Sequence, residues 1–161
     1  MEIIITILVA FLALNHLIYA IQNLFNLKQA HGFVEAVFTQ QETPFYPRSI
    51  MPPLRSPVLT WAGLFVIIAA ETTVGVMLAA SAFLMAAAAG TTPANFAAAG
   101  EWALIGCGVA LLLWFGLFLS IGAALFQMWQ TPLGQGAMSD AYRNGVFAAL
   151  VLLLLLFLPA V

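Results

Sequence analysis

Charge is scarce in this sequence. Of its 161 residues only four are Lys or Arg and six Asp or Glu, 6% of the chain. A soluble domain carries about 25%, because a folded surface has to be solvated. Ten charged side chains do not cover a soluble protein of this size. The shortage of cations, within a net charge of -2, also excludes the basic stripe that nucleic-acid binding requires.

Other absences remove further classes. The one cysteine, Cys107, lies in an apolar run, so there is no disulfide framework. Two His, one Cys and scattered carboxylates do not make a four-ligand zinc site. His16 and His31 would be roughly 22 Å apart on a single helix, too far to hold a haem between them. No Gly-rich phosphate loop and no supported Ser/His/Asp arrangement is present. The sequence therefore indicates no enzyme, no metal and no cofactor.

What fills the chain is apolar. Residues of the AVILMFWYC set make up 64%, and the mean hydropathy is +1.07. Crossing about 30 Å of hydrocarbon takes about 20 such residues in a row. Four stretches qualify, and the spacing predicts spans over about 3–27, 58–89, 102–127 and 141–158. The first is uncharged; the second is interrupted only by Glu71. The fourth is short unless its helix begins near Ser139, which would then serve as N-cap with Asp140 beside the positive helix end. The first span follows Glu2 rather than a positive n-region and exceeds a signal-peptide core, so it is expected to be retained. The expected fold is an all-α membrane protein, one domain of four transmembrane helices in a small antiparallel bundle.

Lys28, Arg48 and Arg55 fall in the first loop and Arg143 in the third, while the second loop and both ends have no Lys or Arg. The positive-inside rule then places loops 1 and 3 in the cytoplasm and both termini outside. The first loop carries five prolines in "ETPFYPRSIMPPLRSP", too many for a long helix there. It reads either as an ordered cap or as a tether.

Within the spans, small residues at four-residue spacing mark close helix approach. Gly75–Ala79 and Ala82–Ala86 in the second span, with Gly106–Ala110 and Gly116–Ser120–Ala124 in the third, predict a tight hairpin of those two. The first span carries a polar stripe of Asn15 or His16, Tyr19, Gln22 or Asn23, and Asn26, one helical face. If first and second helices cross the cytoplasmic edge at Lys28 and Val58, then Asn15, His16 and Glu71 all lie about 18–20 Å deep. An intramembrane polar cluster of Glu71, His16, Asn15 and Tyr19 is therefore expected. Asp140 and Arg143, three residues apart, should pair on one helix face. Trp129, Gln130, Tyr142 and Arg143 mark the interface, with a lipid or a quinone as the candidate ligand and belt or anchor as the simpler role.

The stretch "MWQTPLGQGAMSDAYRN" resembles the signature of a bacterial family of small integral membrane proteins, domain-of-unknown-function family 2165. Met128, Trp129, Gln130 and Thr131 match its first part, Gly134 and Gln135 its second, Tyr142 and Arg143 its third. Upstream, Glu42, Thr43 and Arg48 match the family's first loop, and Ala70–Glu71 its second span. Ala124 and Leu125 stand where the family has Glu-Trp, and Ala36 falls near a family His. The resemblance implies four helices in a bacterial plasma membrane, and no activity.

Together these features describe a protein without catalytic chemistry of its own, surrounded by lipid and expected to sit among other membrane-protein subunits. The expectation is an accessory subunit of a larger inner-membrane complex, respiratory or photosynthetic. The alternatives are a small proton, ion or solute carrier or channel, and a module that binds quinone or lipid.

Overall fold

In the computed structural model, residues 1–40, 45–46 and 48–157 are described, and they are helical with no strand. Helix α1 spans Glu2–Phe25, α2 Leu27–Thr39, α3 Pro57–Ala88, α4 Pro93–Ala99, α5 Glu101–Leu111 and α6 Pro132–Leu156. A π-wound segment, Leu112–Leu125, continues α5, and a 3-10 turn, Met128–Gln130, leads into α6. Four stretches are long and apolar enough to cross a membrane: Glu2–Phe25, Pro57–Ala88, Pro93–Leu125 and Pro132–Leu156.

Helix boundaries follow local chemistry. The chain breaks at Asn26, so the apolar start of the first loop becomes a helix of its own rather than a continuation of α1. Helix α2 ends at Gln40, and Gly90 turns the chain after α3; both have positive φ, which glycine adopts without cost. Helices α4 and α6 begin alike, on a threonine cap followed by proline: the Thr92 hydroxyl accepts from the Asn95 N–H and the Thr131 hydroxyl from the Gly134 N–H. Proline suits that first position because its missing N–H would have no partner there. Thr131 therefore takes the capping role expected of Ser139, which lies well inside α6. Starting α6 at Pro132 gives the fourth span a polar first half.

Helix α3 is the centre of the molecule. It shares its longest interface with α1 and its next longest with α5. The Glu2 carboxylate accepts from Gly90 N–H, Asn23 bonds to Glu71, and His31 bonds to Thr60. As numbering rises along α1 and α2 it falls along α3, so the two run in opposite directions.

Only some of the small residues serve the neighbours that the spacing indicates. A Cβ added at Gly75 would lie 2.6 Å from Leu17 Cγ, so this glycine receives α1, not the third span. Gly106 does face α3, where a Cβ would come within 2.9 Å of Leu78. Gly116 has open space around it, and Ser120 and Ala124 are exposed. The reason is the winding: from Leu112 onward the hydrogen bonds span five residues, so a four-residue repeat no longer stays on one face.

The two ends of the bundle differ. Glu2, Gly90, Gly100 and Leu155 gather at one end. At the other, the first and third loops are tied together. Ser49 Oγ donates to the Leu125 carbonyl, Tyr46 N–H to Gln130 Oε1, and Gln127 Nε2 to the Arg48 carbonyl. Tyr46 meets Trp129 edge-on at 5.4 Å, and Phe38 stacks on Phe126 at 4.8 Å. The first loop is an ordered cap at these points. A satellite core of Val34, Leu64 and Ile68 joins α2 to α3 beneath it.

Candidate functional site

Three polar ties join α1 to its neighbours inside the bundle. Asn23 Nδ2 donates to Glu71 Oε2 at 2.9 Å. Asn15 Nδ2 donates to Asn144 Oδ1 at 2.8 Å, joining α1 to α6. Trp114 Nε1 donates to His16 Nε2 at 2.9 Å, joining α1 to the π segment. His16 Nδ1 lies 2.8 Å from the Leu12 carbonyl. An indole N–H only donates and a carbonyl only accepts, so the two partners together fix His16 as the neutral Nδ1–H tautomer. Tyr19 meets the same indole edge-on at 5.4 Å.

The expected cluster of Glu71, His16, Asn15 and Tyr19 is thus divided. Glu71 bonds neither Asn15 nor His16, and its partner is Asn23, the stripe residue nearer the capped end. The depth argument set Lys28 level with Val58, but α2 continues past Lys28 and packs on α3. His31 bonds to Thr60 at 2.8 Å and stacks on Trp61 at 4.0 Å. That slides α1 along α3 and brings Asn23 to the carboxylate. Measured from Glu2, Asn23 is about 31 Å along α1 against about 20 Å for Asn15, so the pair lies nearer the capped end than Asn15 does.

Glu71 itself is 1% exposed. It lines a cavity of about 180 Å³ with Asn23, Tyr19, Trp114, Phe118 and Asp140. Asn23 takes one carboxylate oxygen, and the other has no hydrogen-bond partner among the described residues. On one side lies an almost wholly apolar pocket of about 230 Å³, which shares Phe33, Val34, Ile67 and Phe118 as walls. On the other lies a groove of about 430 Å³ between α1 and α6, sharing Tyr19 and Asp140 and bordered by Arg143. The central chamber and the apolar pocket occupy the space where the π segment stands off from α3, which it scarcely touches.

The expected Asp140–Arg143 pair forms, with the Arg143 guanidinium donating to the Asp140 carboxylate. The interface quartet does not converge. Trp129 and Gln130 belong to the loop cap, Tyr142 is exposed on α6, and Arg143 alone borders the α1–α6 groove. Arg48 is an exposed member of the cap, whereas Glu42 and Thr43 lie outside the described residues. Among the described residues no group of three or more His, Cys, Asp or Glu is placed to hold a metal ion.

Asn144 was not visible as a partner in the sequence, because its neighbours read as a helix start. Trp114 gave a signal: an indole in mid-span, away from either headgroup layer, has to spend its N–H inside protein.

Four helices long and apolar enough to cross a membrane fit an integral membrane protein, and comparison with family models agrees. The model for predicted small integral membrane proteins, domain-of-unknown-function family 2165, matches residues 1–158. The chain belongs to this family. Within family 2165 the chain's Met128–Thr131 stretch forms the turn before α6, and its Gly134 is the donor to the Thr131 cap. No curated protein and no solved structure matches the chain.

Proposed function

We propose that this integral membrane protein is a non-catalytic accessory subunit of a larger complex in a bacterial plasma membrane, of respiratory or photosynthetic type. The observation that carries this reading is the cap. Two loops are hydrogen-bonded to each other over one end of the bundle, which a tether between helices does not need. The cap also presents apolar side chains outward: Phe45 is 82% and Ile50 89% exposed. Large exposed apolar side chains on an ordered surface mark contact with another protein or with lipid. With so little mass outside the spans, partners have to be met in the bilayer or at this cap.

Native mass spectrometry of the complex extracted in mild detergent tests the proposal. A defined partner at fixed stoichiometry is expected, and Ile50→Glu should release it while the bundle stays folded. A monomer or homo-oligomer throughout would refute the accessory role. Lys28, Arg48 and Arg55 lie in or beside the capped end, which we assign to the cytoplasm, while Arg143, expected in the third loop, lies eleven residues into α6. Of Ser49→Cys and Thr92→Cys, only the latter should react with an impermeant thiol reagent on intact cells. The native Cys107 is buried and should give little background. Labelling at position 49 alone would invert the orientation.

A further inference from the structure

We propose that the cleft between α1–α3 and the π segment with α6 is a binding site for a lipophilic organic cation. Its charged head sits against Glu71 and its apolar body fills the adjoining pocket.

The cleft arises from the helix packing. On the side of the chamber toward Glu2, Gly75 and Gly106 allow α1 and α5 to close on α3. Toward the capped end the wider π winding stands away from α3 and leaves the cavities open. π winding is rare, and its single-turn form recurs at functional sites.

The central chamber has the chemistry of a cation site. Two carboxylates face it, Glu71 and Asp140. Arg143 neutralises Asp140, but it borders the neighbouring groove and not this chamber. Glu71 has no basic side chain opposite it among the described residues. The Asn23 amide holds one of its oxygens and thereby aims the other, which is free to accept. An ionised carboxylate with no opposite charge is costly to bury, and a ligand cation supplies that charge.

Four of the other wall residues are aromatic, Tyr19, Phe33, Trp114 and Phe118, and the rest are aliphatic. Tyr19 and Phe118 flank Trp114 with centroids 5.4 and 5.2 Å away. Aromatic faces attract cations, most strongly when both are desolvated. An anion would meet two carboxylates. A neutral quinone would find one hydroxyl donor in Tyr19 but would leave Glu71 without a counter-charge. Phe33, Val34, Ile67 and Phe118 then continue into the apolar pocket, which suits a hydrophobic body attached to the charged head.

The test uses the full chain in nanodiscs, with tetraphenylphosphonium as the cationic probe and neutral triphenylphosphine oxide as its uncharged counterpart. Calorimetric titration, corrected with empty nanodiscs, should show the cation binding at least tenfold more tightly. Glu71→Gln should weaken it tenfold or more, and Ile67→Trp, which fills the apolar pocket, several-fold. Arg143→Gln should leave it unchanged or tighter. Equal affinity of the unmodified protein for both probes would overturn the proposal, as would cation binding indifferent to Ile67→Trp. Preferential binding of a short-chain quinone would overturn it too. The comparison of probes on the unmodified protein and the Ile67→Trp variant decide the matter even if Glu71→Gln does not fold.

Discussion

Replacing Trp114 by alanine should be among the most damaging single changes in this protein. The indole is 2% exposed and touches three aromatic rings, His16, Tyr19 and Phe118. Removing it opens a cavity, which costs about 3–5 kcal/mol for a buried Trp or Phe cut to alanine. It also leaves the His16 Nε2, on a fully buried ring, without its donor. Trp114→Phe separates the two effects, because it keeps most of the volume and loses the N–H. Interhelical hydrogen bonds inside membranes are worth about 0.6 kcal/mol on average and about 1.7 at most, so that variant should cost about 1–2 kcal/mol. Unfolding midpoints of both variants in the same detergent give the comparison. A cycle that adds His16→Leu should recover part of the phenylalanine loss, since both polar partners are then gone. Equal losses for alanine and phenylalanine, with no coupling to His16, would show that this tie contributes nothing.

Any side chain at Gly134 should prevent α6 from starting where it does. A Cβ there would overlap the Met128 carbonyl and crowd Thr131 Oγ1 at 2.9 Å. The obstacle is backbone, held by the 3-10 turn before α6, so a rotamer change cannot relieve it. Gly134→Val should cost about 3 kcal/mol or more, in the upper range for overpacking. Gly136 is the control, two residues on in the same helix with nothing within 4 Å of an added Cβ. Gly136→Ala should be neutral or stabilising by up to about 1 kcal/mol, because alanine favours the helix. A Gly134→Val protein with the unfolding midpoint of the Gly136→Ala variant would show that this close approach does not hold in the membrane.

Much of the fold was legible because the bilayer imposes it. A chain with so few charges and four long apolar runs has to satisfy its backbone within each segment, and helices do that. Local pairs were equally legible: Asp140 and Arg143 are three residues apart on one helix, so spacing alone brings them together. The stripe on α1 read correctly as a face turned into protein at Asn15, His16, Tyr19 and Asn23, whereas Asn26 is exposed and bonds to the Gln22 carbonyl of its own helix.

What each polar residue meets was decided by tertiary structure. Sequence fixes a residue's position along its own helix, but not how far one helix slides past another. That offset depends on the packing of α2 against α3 and on Leu17 seated over Gly75. A slide of two turns costs little in any local term, yet it gives Glu71 to Asn23 and leaves His16 to Trp114. The same holds for the π segment. Leu112–Leu125 is as apolar as any α-helical span, and composition carries no mark of its wider winding. Hydropathy determined that four segments lie in the membrane. Side-chain packing between them, which no single segment encodes, determined the cleft and the carboxylate that opens on it.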